Sequence, residues 1–336
     1  MPKTIRNSFY KNLTYEKLME AHKKSRKGKG YRKEVVLFNL KQEEYIMWLY
    51  DQLKNGTYKH GGYTQFYVTE PKLRKIEKSK YIDRIVHRWL VDNFLEPAFV
   101  PQFINTSFAC LKNKGMHKAC FYVQNSMKHC KRIWNEYYIL KMDVAKYFDN
   151  INKKILLNII KRKIKDKKII WLIREILYAQ KREKGLEIGN YTSQMFANIY
   201  LNEIDQYIKH SLKIKYYCRY LDDSIVIVQT KEEAKKALEK IIKFLKENLE
   251  LELNKKTQIF KNKQGVNFCG YKINEYRLKI RDKGKRKLKN KVKKLKKEIK
   301  KGKISSKEAK KYLAGHIGYI KIANVKNLTD SLFYNE

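Results

Sequence analysis

The stretch Tyr220-Leu221-Asp222-Asp223-Ser224-Ile225-Val226 decides how the rest of the chain is read. It is preceded by Lys215-Tyr-Tyr-Cys-Arg219 and followed by Ile227-Val228, so aromatic and β-branched residues flank an acidic pair on both sides. Such residues suit a pleated, half-buried surface, and Asp tolerates tight-turn geometry. The segment is therefore predicted to be two short strands meeting at a turn, with two carboxylates at the tip. Paired carboxylates repel unless a cation lies between them. A hard divalent ion such as Mg²⁺ takes oxygen from one or two carboxylates and completes its shell with phosphates and water. A solvated Asp-Asp turn has the same local sequence, and the remainder of the chain decides between the two.

At 336 residues the chain can bury a full core and has room for two or three domains or subdomains. Lys and Arg total 77 against 34 Asp and Glu, a formal charge of +43 spread over the whole length. Part of that excess can reflect an AT-rich genome, but a polyanion partner follows from it, with nucleic acid foremost. No run approaches the roughly 18 apolar residues of a membrane span, and Met1-Pro-Lys-Thr-Ile-Arg6 lacks an apolar signal core, so a cytoplasmic protein is expected. The five cysteines, 110, 120, 130, 218 and 269, form no Cys-x-x-Cys pair and read as reduced thiols, mostly buried.

Residues 1–60 are helical in pattern, broken by the basic run Lys23 to Lys33, either a mobile loop on a phosphate surface or an ordinary solvated loop. Alternation predicts a strand over Thr64–Val68 with its return through Lys72, Arg74 and Ile76, then a helix from Ile82 to Leu95. A helix within 113–134 precedes Tyr137-Tyr-Ile-Leu-Lys-Met-Asp143-Val144, a strand apolar on both faces until it ends in an acid. Strand ends are where a rigid element can present a carboxylate to a ligand. Helical pattern resumes over 153–178, and a turn at Gly185–Gln194 opens a helix through Ala197 and Leu201. Helix over 232–249 and a strand pair near 258–260 and 266–273 follow. From Lys285, Leu288, Val292, Leu295 and Ile299 recur at helical spacing among lysines, leaving a face for solvent or phosphate. The sum is an α+β fold with helices against an antiparallel sheet.

If the strands carrying Asp143 and Asp222 are neighbours, their acids converge. Two metal ions there could activate a 3′ hydroxyl and neutralise a leaving pyrophosphate, which is nucleotidyl transfer.

The order of these blocks resembles the reverse transcriptases, whose Tyr-x-Asp-Asp signature is matched by Tyr220-Leu-Asp-Asp223 and whose first catalytic aspartate is matched by Asp143 in Lys141-Met-Asp-Val-Ala-Lys-Tyr-Phe148. The resemblance implies a right-hand polymerase: fingers with an N-terminal extension over 1–112, a palm over 113–275 that includes helices at about 151–195, and a helical thumb over 276–336. It implies two Mg²⁺ ions, with Mn²⁺ able to substitute, held by Asp143, Asp222, Asp223 and the carbonyl of Val144. Lys256 in Leu251-Glu-Leu-Asn-Lys-Lys-Thr257 matches a lysine proposed to protonate pyrophosphate. Lys72 and Arg74 match the triphosphate grip, and Phe148 the steric gate that selects deoxynucleotides. Phe268, Gly270 and Tyr271 match the primer grip. Arg84, Lys285, Lys289 and Lys293 fall where the family contacts nucleic acid.

One block narrows the resemblance. Where most reverse transcriptases carry Gln-Gly-x-x-x-Ser-Pro, this chain has Ile188-Gly189-Asn190-Tyr-Thr-Ser193-Gln194. That form, with Ser107-Phe-Ala-Cys110 and Gly115-x-His117-x-Ala119, resembles the reverse transcriptases of diversity-generating retroelements, which are related to group II intron proteins. Ile188, Gly189 and Gln194 would then line the nucleotide pocket, and an apolar chain in place of an amide removes a hydrogen-bonding handle on the nucleotide. Error-prone synthesis opposite template adenines is what the family implies, or the change is one of packing alone. Also implied are deoxynucleotides, a structured template RNA, an RNA/DNA hybrid and a small basic accessory variability protein, with no membrane. No RNase H, endonuclease or integrase module is expected after the thumb. The rival readings are a stand-alone phage-defence or CRISPR-associated reverse transcriptase and a non-catalytic, maturase-like RNA-binding protein.

Overall fold

The amphipathic stretches near the N-terminus become helices in the computed structural model, which describes residues 4–69, 72–324, 328 and 332. The chain divides into two units, one made of residues 1–104, 144–207 and 241–252, the other of 105–143, 208–240 and 253–336. Each unit is thus assembled from separated stretches, where the sequence expectation was drawn in contiguous ranges.

In the first unit the helices Tyr15–Arg26, Lys33–Leu40 and Gln42–Asn55 precede a hairpin of β1 (Tyr63–Val68) and β2 (Arg74–Ser79). Thr14 starts the first helix by accepting from Lys17 N at 3.3 Å, and Gly56, at φ +73°, ends the third. The basic run is half helical, since the first helix continues to Arg26 and the next begins at Lys33. The Tyr15–Arg26 helix packs on Tyr81–Leu90, burying Leu18 and Ala21 with Ile85, Trp89 and Leu90 in the same core. The helical pattern over 153–178 forms two helices, Lys153–Lys163 and Lys167–Leu177. Asp166 divides them, because its carboxylate accepts from Lys168 N and Ile169 N as a cap and from Ser8 N and Phe9 N as well. The Tyr191–Gln206 helix packs against both Tyr81–Leu90 and Lys153–Lys163.

The second unit is built on a sheet of β3 (Tyr138–Asp143), β4 (Tyr216–Tyr220), β5 (Asp223–Val228) and β6 (Gln258–Lys261), in the spatial order β4-β5-β3-β6 and wholly antiparallel. The strands read as one further pair over 258–273 belong to different sheets. β6 joins the four-stranded sheet, while β7 (Val266–Phe268) and β8 (Tyr271–Ile273) form a separate three-stranded sheet with β9 (Leu278–Ile280). The helix Met116–Trp134 covers the sheet, placing Cys120, Val123 and Met127 in one core with Ile139, Cys218, Ile225, Phe268 and Leu288. Each such fully buried aliphatic side chain contributes about 1.5–3 kcal/mol. The helices Asp282–Lys300 and Ser306–Ile320 follow, the second opened by a capping box between Ser305 and Glu308. Cys120, Cys130 and Cys218 are buried thiols, Cys269 is half-buried, and Cys110 is exposed. Among the described residues no helix is long and apolar enough to cross a membrane.

Candidate active site

The acidic segment folds as the sequence predicts, with β4 and β5 joined through Leu221 and Asp222. Leu221 stands at φ +54°, a conformation that costs a branched residue about 1–2 kcal/mol and so must be held from outside the turn. Arg219 supplies that support: 2% exposed beneath the turn, it donates from Nη1 to the Leu221 carbonyl at 3.1 Å. The Ser107 segment supports β4 in turn, Arg219 N donating to Thr106 O and Phe108 N to Arg219 O, both at 3.0 Å. The residues that singled out Ser107-Phe-Ala in the sequence are thus the outer buttress of the acidic tip.

β3 and β5 are paired so that Asp143 lies directly opposite Asp223. Opposed residues of an antiparallel pair share a face with Cβ atoms roughly 4.5–5.5 Å apart. Asp222 is half-buried in the adjoining turn. Asp223 Oδ2 lies 3.5 Å from Lys141 Nζ, whereas its Oδ1 is buried with no hydrogen-bond partner. Burial pushes the Asp223 carboxyl up to about 7; Lys141 opposes the shift, and the charges of Asp143 and Asp222 add to it. Asp143 is fixed by Asn254, whose N–H donates to the Asp143 carbonyl at 2.7 Å and whose Nδ2 donates to Oδ2 at 3.3 Å. Asn254 Oδ1 accepts from Lys256 N at 3.0 Å, so one amide ties the turn carrying Lys256 to the carboxylate.

Among the described residues no three His, Cys, Asp or Glu side chains form a ready-made metal cage. The donor set nonetheless fits a hard divalent cation, being all oxygen, repulsive without a positive charge, and holding one buried carboxylate oxygen without a partner. Asp143, Asp222 and Asp223 are the residues that would hold it. Val144 is the next residue of the chain and belongs to the first unit.

The residues matched to a primer grip, Phe268, Gly270 and Tyr271, lie in the second unit too. Cys269 and Gly270, at φ +47° and +87°, turn β7 into β8, with Phe268 and Tyr271 buried on either side. Lys141 Nζ donates to Asn267 O at 2.7 Å and so links β3 to β7. Lys289 and Lys293 are exposed on the Asp282–Lys300 helix, which buries Leu288, Val292 and Leu295, and Lys285 pairs with Asp282 at 3.5 Å.

The residues matched to nucleotide handling belong to the first unit. Lys72 and Arg74 are exposed at the start of β2. Ile188 and Gly189 are attached to the same strand: Glu77 N donates to Ile188 O at 2.9 Å, and a Cβ on Gly189, at φ +121°, would lie 2.9 Å from Ile76. Asn190 seals the junction. Its Oδ1 accepts from Ser79 N at 3.1 Å and from Ser79 Oγ at 2.6 Å, and its Nδ2 donates to Glu77 O at 2.9 Å. Glu77 is buried and paired with Lys75 and Arg182, the latter also pairing with Glu187. Half-buried Phe148 is joined to the same loop, its carbonyl accepting from Leu186 N at 2.8 Å. Gln194 lines a cleft of about 260 Å³ with Lys24, Lys27, Lys29, Arg84 and Arg88. Arg84 is also paired with Glu34 at 2.6 Å. Burial, then the neighbouring Arg84 and Arg32, push the Lys29 ammonium down, as expected where positive charge is concentrated.

Three residues central to this geometry were not read from the sequence: Arg219, Asn254 and Lys141. Asn254 was nearest to being found, since it stands two places before Lys256 in the quoted block.

Carboxylates at the tip of an antiparallel sheet and at the end of its neighbouring strand, with the β7–β8 hairpin and a lysine-faced helix in the same unit, are the layout of a polymerase fold. The model of the family described as reverse transcriptase (RNA-dependent DNA polymerase) matches residues 59–273, and the chain belongs to that family. Protein YkfC of Escherichia coli K12 is 25% identical over 268 residues, covering 67% of this chain and 70% of its own length. The group II intron-encoded protein LtrA of Lactococcus lactis is 25% identical over 325 residues, covering 75% of this chain but 52% of its own length. A structure of telomerase from Candida albicans, in complex with a fragment of telomeric RNA, has a TM-score of 0.49 and 11% identity, covering 66% of this chain and 45% of that one. At that score the likeness bears on neither site nor function.

Proposed function

We propose that the chain is an RNA-directed DNA polymerase of the diversity-generating retroelement type, copying a structured RNA into cDNA with errors concentrated opposite template adenines. The observation that carries the polymerase reading is Asp143 facing Asp223 beside Asp222, with one Asp223 oxygen buried and unpartnered. A protein that only binds nucleic acid gains nothing from anions turned toward phosphate. Two Mg²⁺ ions bound by Asp143, Asp222, Asp223 and the Val144 carbonyl, with Mn²⁺ as a substitute, would supply Lewis acidity at the primer hydroxyl and charge neutralisation at the phosphates. The other roles are those of the chain's own side chains. Lys72 and Arg74 bind the triphosphate, Phe148 excludes a ribose 2′ hydroxyl, and Lys256 gives a proton to pyrophosphate as a general acid. Phe268, Gly270 and Tyr271 seat the primer, and Arg84, Lys285, Lys289 and Lys293 contact template and hybrid.

The retroelement subtype rests on Ile188 to Gln194. An apolar Ile188, where most of the family carries Gln, removes one hydrogen-bonding handle on the incoming nucleotide, which relaxes selection by geometry. The accessory variability protein belongs to this same reading. Sequencing the cDNA made on an adenine-containing RNA tests it: errors clustered opposite adenine support the subtype, and an even error spectrum overturns it while leaving the polymerase reading in place.

A further inference from the structure

At the end of the β4–β5 hairpin remote from the acidic tip, the second unit carries a solvent-open pocket of about 550 Å³. That volume lies within the range of pockets that take a ligand or a peptide side chain. Its walls are apolar, formed by Ile133, Trp134, Leu212, Ile214, Ile227 and Ala237. Ile133 is 48% exposed, unusual for an isoleucine with a core beside it. Tyr216 also lines the cavity; it is 8% exposed, yet its hydroxyl has no hydrogen-bond partner. Buried hydroxyls are nearly always satisfied, so this one is a donor waiting for an acceptor.

The rim carries one sign of charge. Lys213, Lys215, Lys236 and Lys240 line the cavity and are exposed, and among the described residues none of them is ion-paired. The acid on the rim, Glu233, is occupied in capping: it accepts from Gln229 N at 3.0 Å and Thr230 N at 3.2 Å.

We infer that this pocket docks an acidic peptide segment of a partner protein, an apolar side chain filling the cavity and flanking carboxylates lying on the four lysines. Nucleic acid fits it less well. Phosphates would satisfy the lysines but leave the aliphatic walls in water. Of the two rings in the wall, Tyr216 is only 8% exposed and has no open face on which a base could stack. A basic partner is refused by the rim. Because β4 runs from Tyr216 to Tyr220, the pocket stands roughly 13 Å from the acidic tip, at about 3.3 Å per residue, and a docked segment leaves the carboxylates free.

The test uses the full chain and a fluorescein-labelled, glutamate-rich peptide with Phe and Leu four residues apart, read by fluorescence anisotropy. The wild type binds it, and the same peptide with lysine in place of glutamate does not bind. Ala237→Trp, which fills the cavity, weakens binding at least tenfold. So does Lys213→Glu combined with Lys236→Glu, a pair of exposed positions where folding is not at stake. Both variants retain primer extension. No binding of the acidic peptide to the wild type, or equal binding to wild type and both variants, overturns the proposal. An oligo(U) RNA whose binding is lost with these variants while the peptide's is not would make the pocket an RNA site instead.

Discussion

Asn254 holds Asp143 at two points, its N–H on the Asp143 carbonyl at 2.7 Å and its Nδ2 on Oδ2 at 3.3 Å. A carboxylate that must present its remaining oxygen to a cation gains from having the other one fixed, and partners of this kind typically matter 10–100-fold to metal affinity or activity. Asn254→Ala is expected to lower primer extension by about that factor and to raise the Mg²⁺ concentration needed for half-maximal rate. Titrating Mg²⁺ for wild type and variant checks it; an unchanged requirement would leave Asn254 a purely structural turn residue.

Asn190 is expected to matter to stability before chemistry. Replacing it by Ala strands Ser79 N, buried Ser79 Oγ and the Glu77 carbonyl, and orphaned buried groups cost about 1–3 kcal/mol each. Gly189→Ala adds a Cβ at φ +121° against Ile76, a strained backbone costing about 1–3 kcal/mol before the clash is relieved. Denaturant unfolding of both variants measures this. A loss below about 0.5 kcal/mol in both would mean the loop is not anchored on β2 as described.

Gly270 and Tyr319 are packed as a close pair: the rings of Tyr271 and Tyr319 stack at 4.7 Å, Tyr319 Oη donates to the Gly270 carbonyl at 2.5 Å, and a Cβ on Gly270 would lie 2.6 Å from that hydroxyl. Gly270→Ala should therefore be destabilising, and Tyr319→Phe should recover part of the loss in the double variant by vacating the space. A double-mutant cycle on unfolding free energies reads the coupling, expected at about 0.5–3 kcal/mol; additive effects would exclude the contact.

How much of this was legible in the sequence depended on how local each signal is. The acidic hairpin, the strand ending at Asp143 and the lysine-faced helix with Leu288, Val292 and Leu295 all carry their own periodicity and turn residues, and all three were read. The division of 258–273 between two sheets was not, because strands of three residues, such as Val266–Phe268, are shorter than any period can declare. The break at Asp166 was missed because no Gly or Pro marks it; what marks it is a carboxylate capping one helix and tied to Ser8 and Phe9 far back in the chain. Asn254 and Arg219 escaped for a related reason. A polar side chain in a strand or loop looks solvated until the fold brings in its partner, which for Asn254 lies 111 residues away.

Ile188 is where fidelity is expected to be set. Ile188→Gln restores the amide that most of the family carries at this position, and the Ile188 carbonyl contact with Glu77 N is main-chain and survives the exchange. Misincorporation opposite template adenine should fall, with errors opposite other bases little changed. Sequencing cDNA from both enzymes on one RNA template decides; identical spectra would make Ile188 a packing residue only.

Asp143, Asp222 and Asp223 are proposed as the centre of a DNA-synthesising site. Primer extension by Asp222→Ala on an RNA template, run beside a binding assay on the same primer–template, tests that proposal most directly. No cDNA with RNA binding retained is the predicted result; cDNA made at a rate near that of the wild type would contradict it.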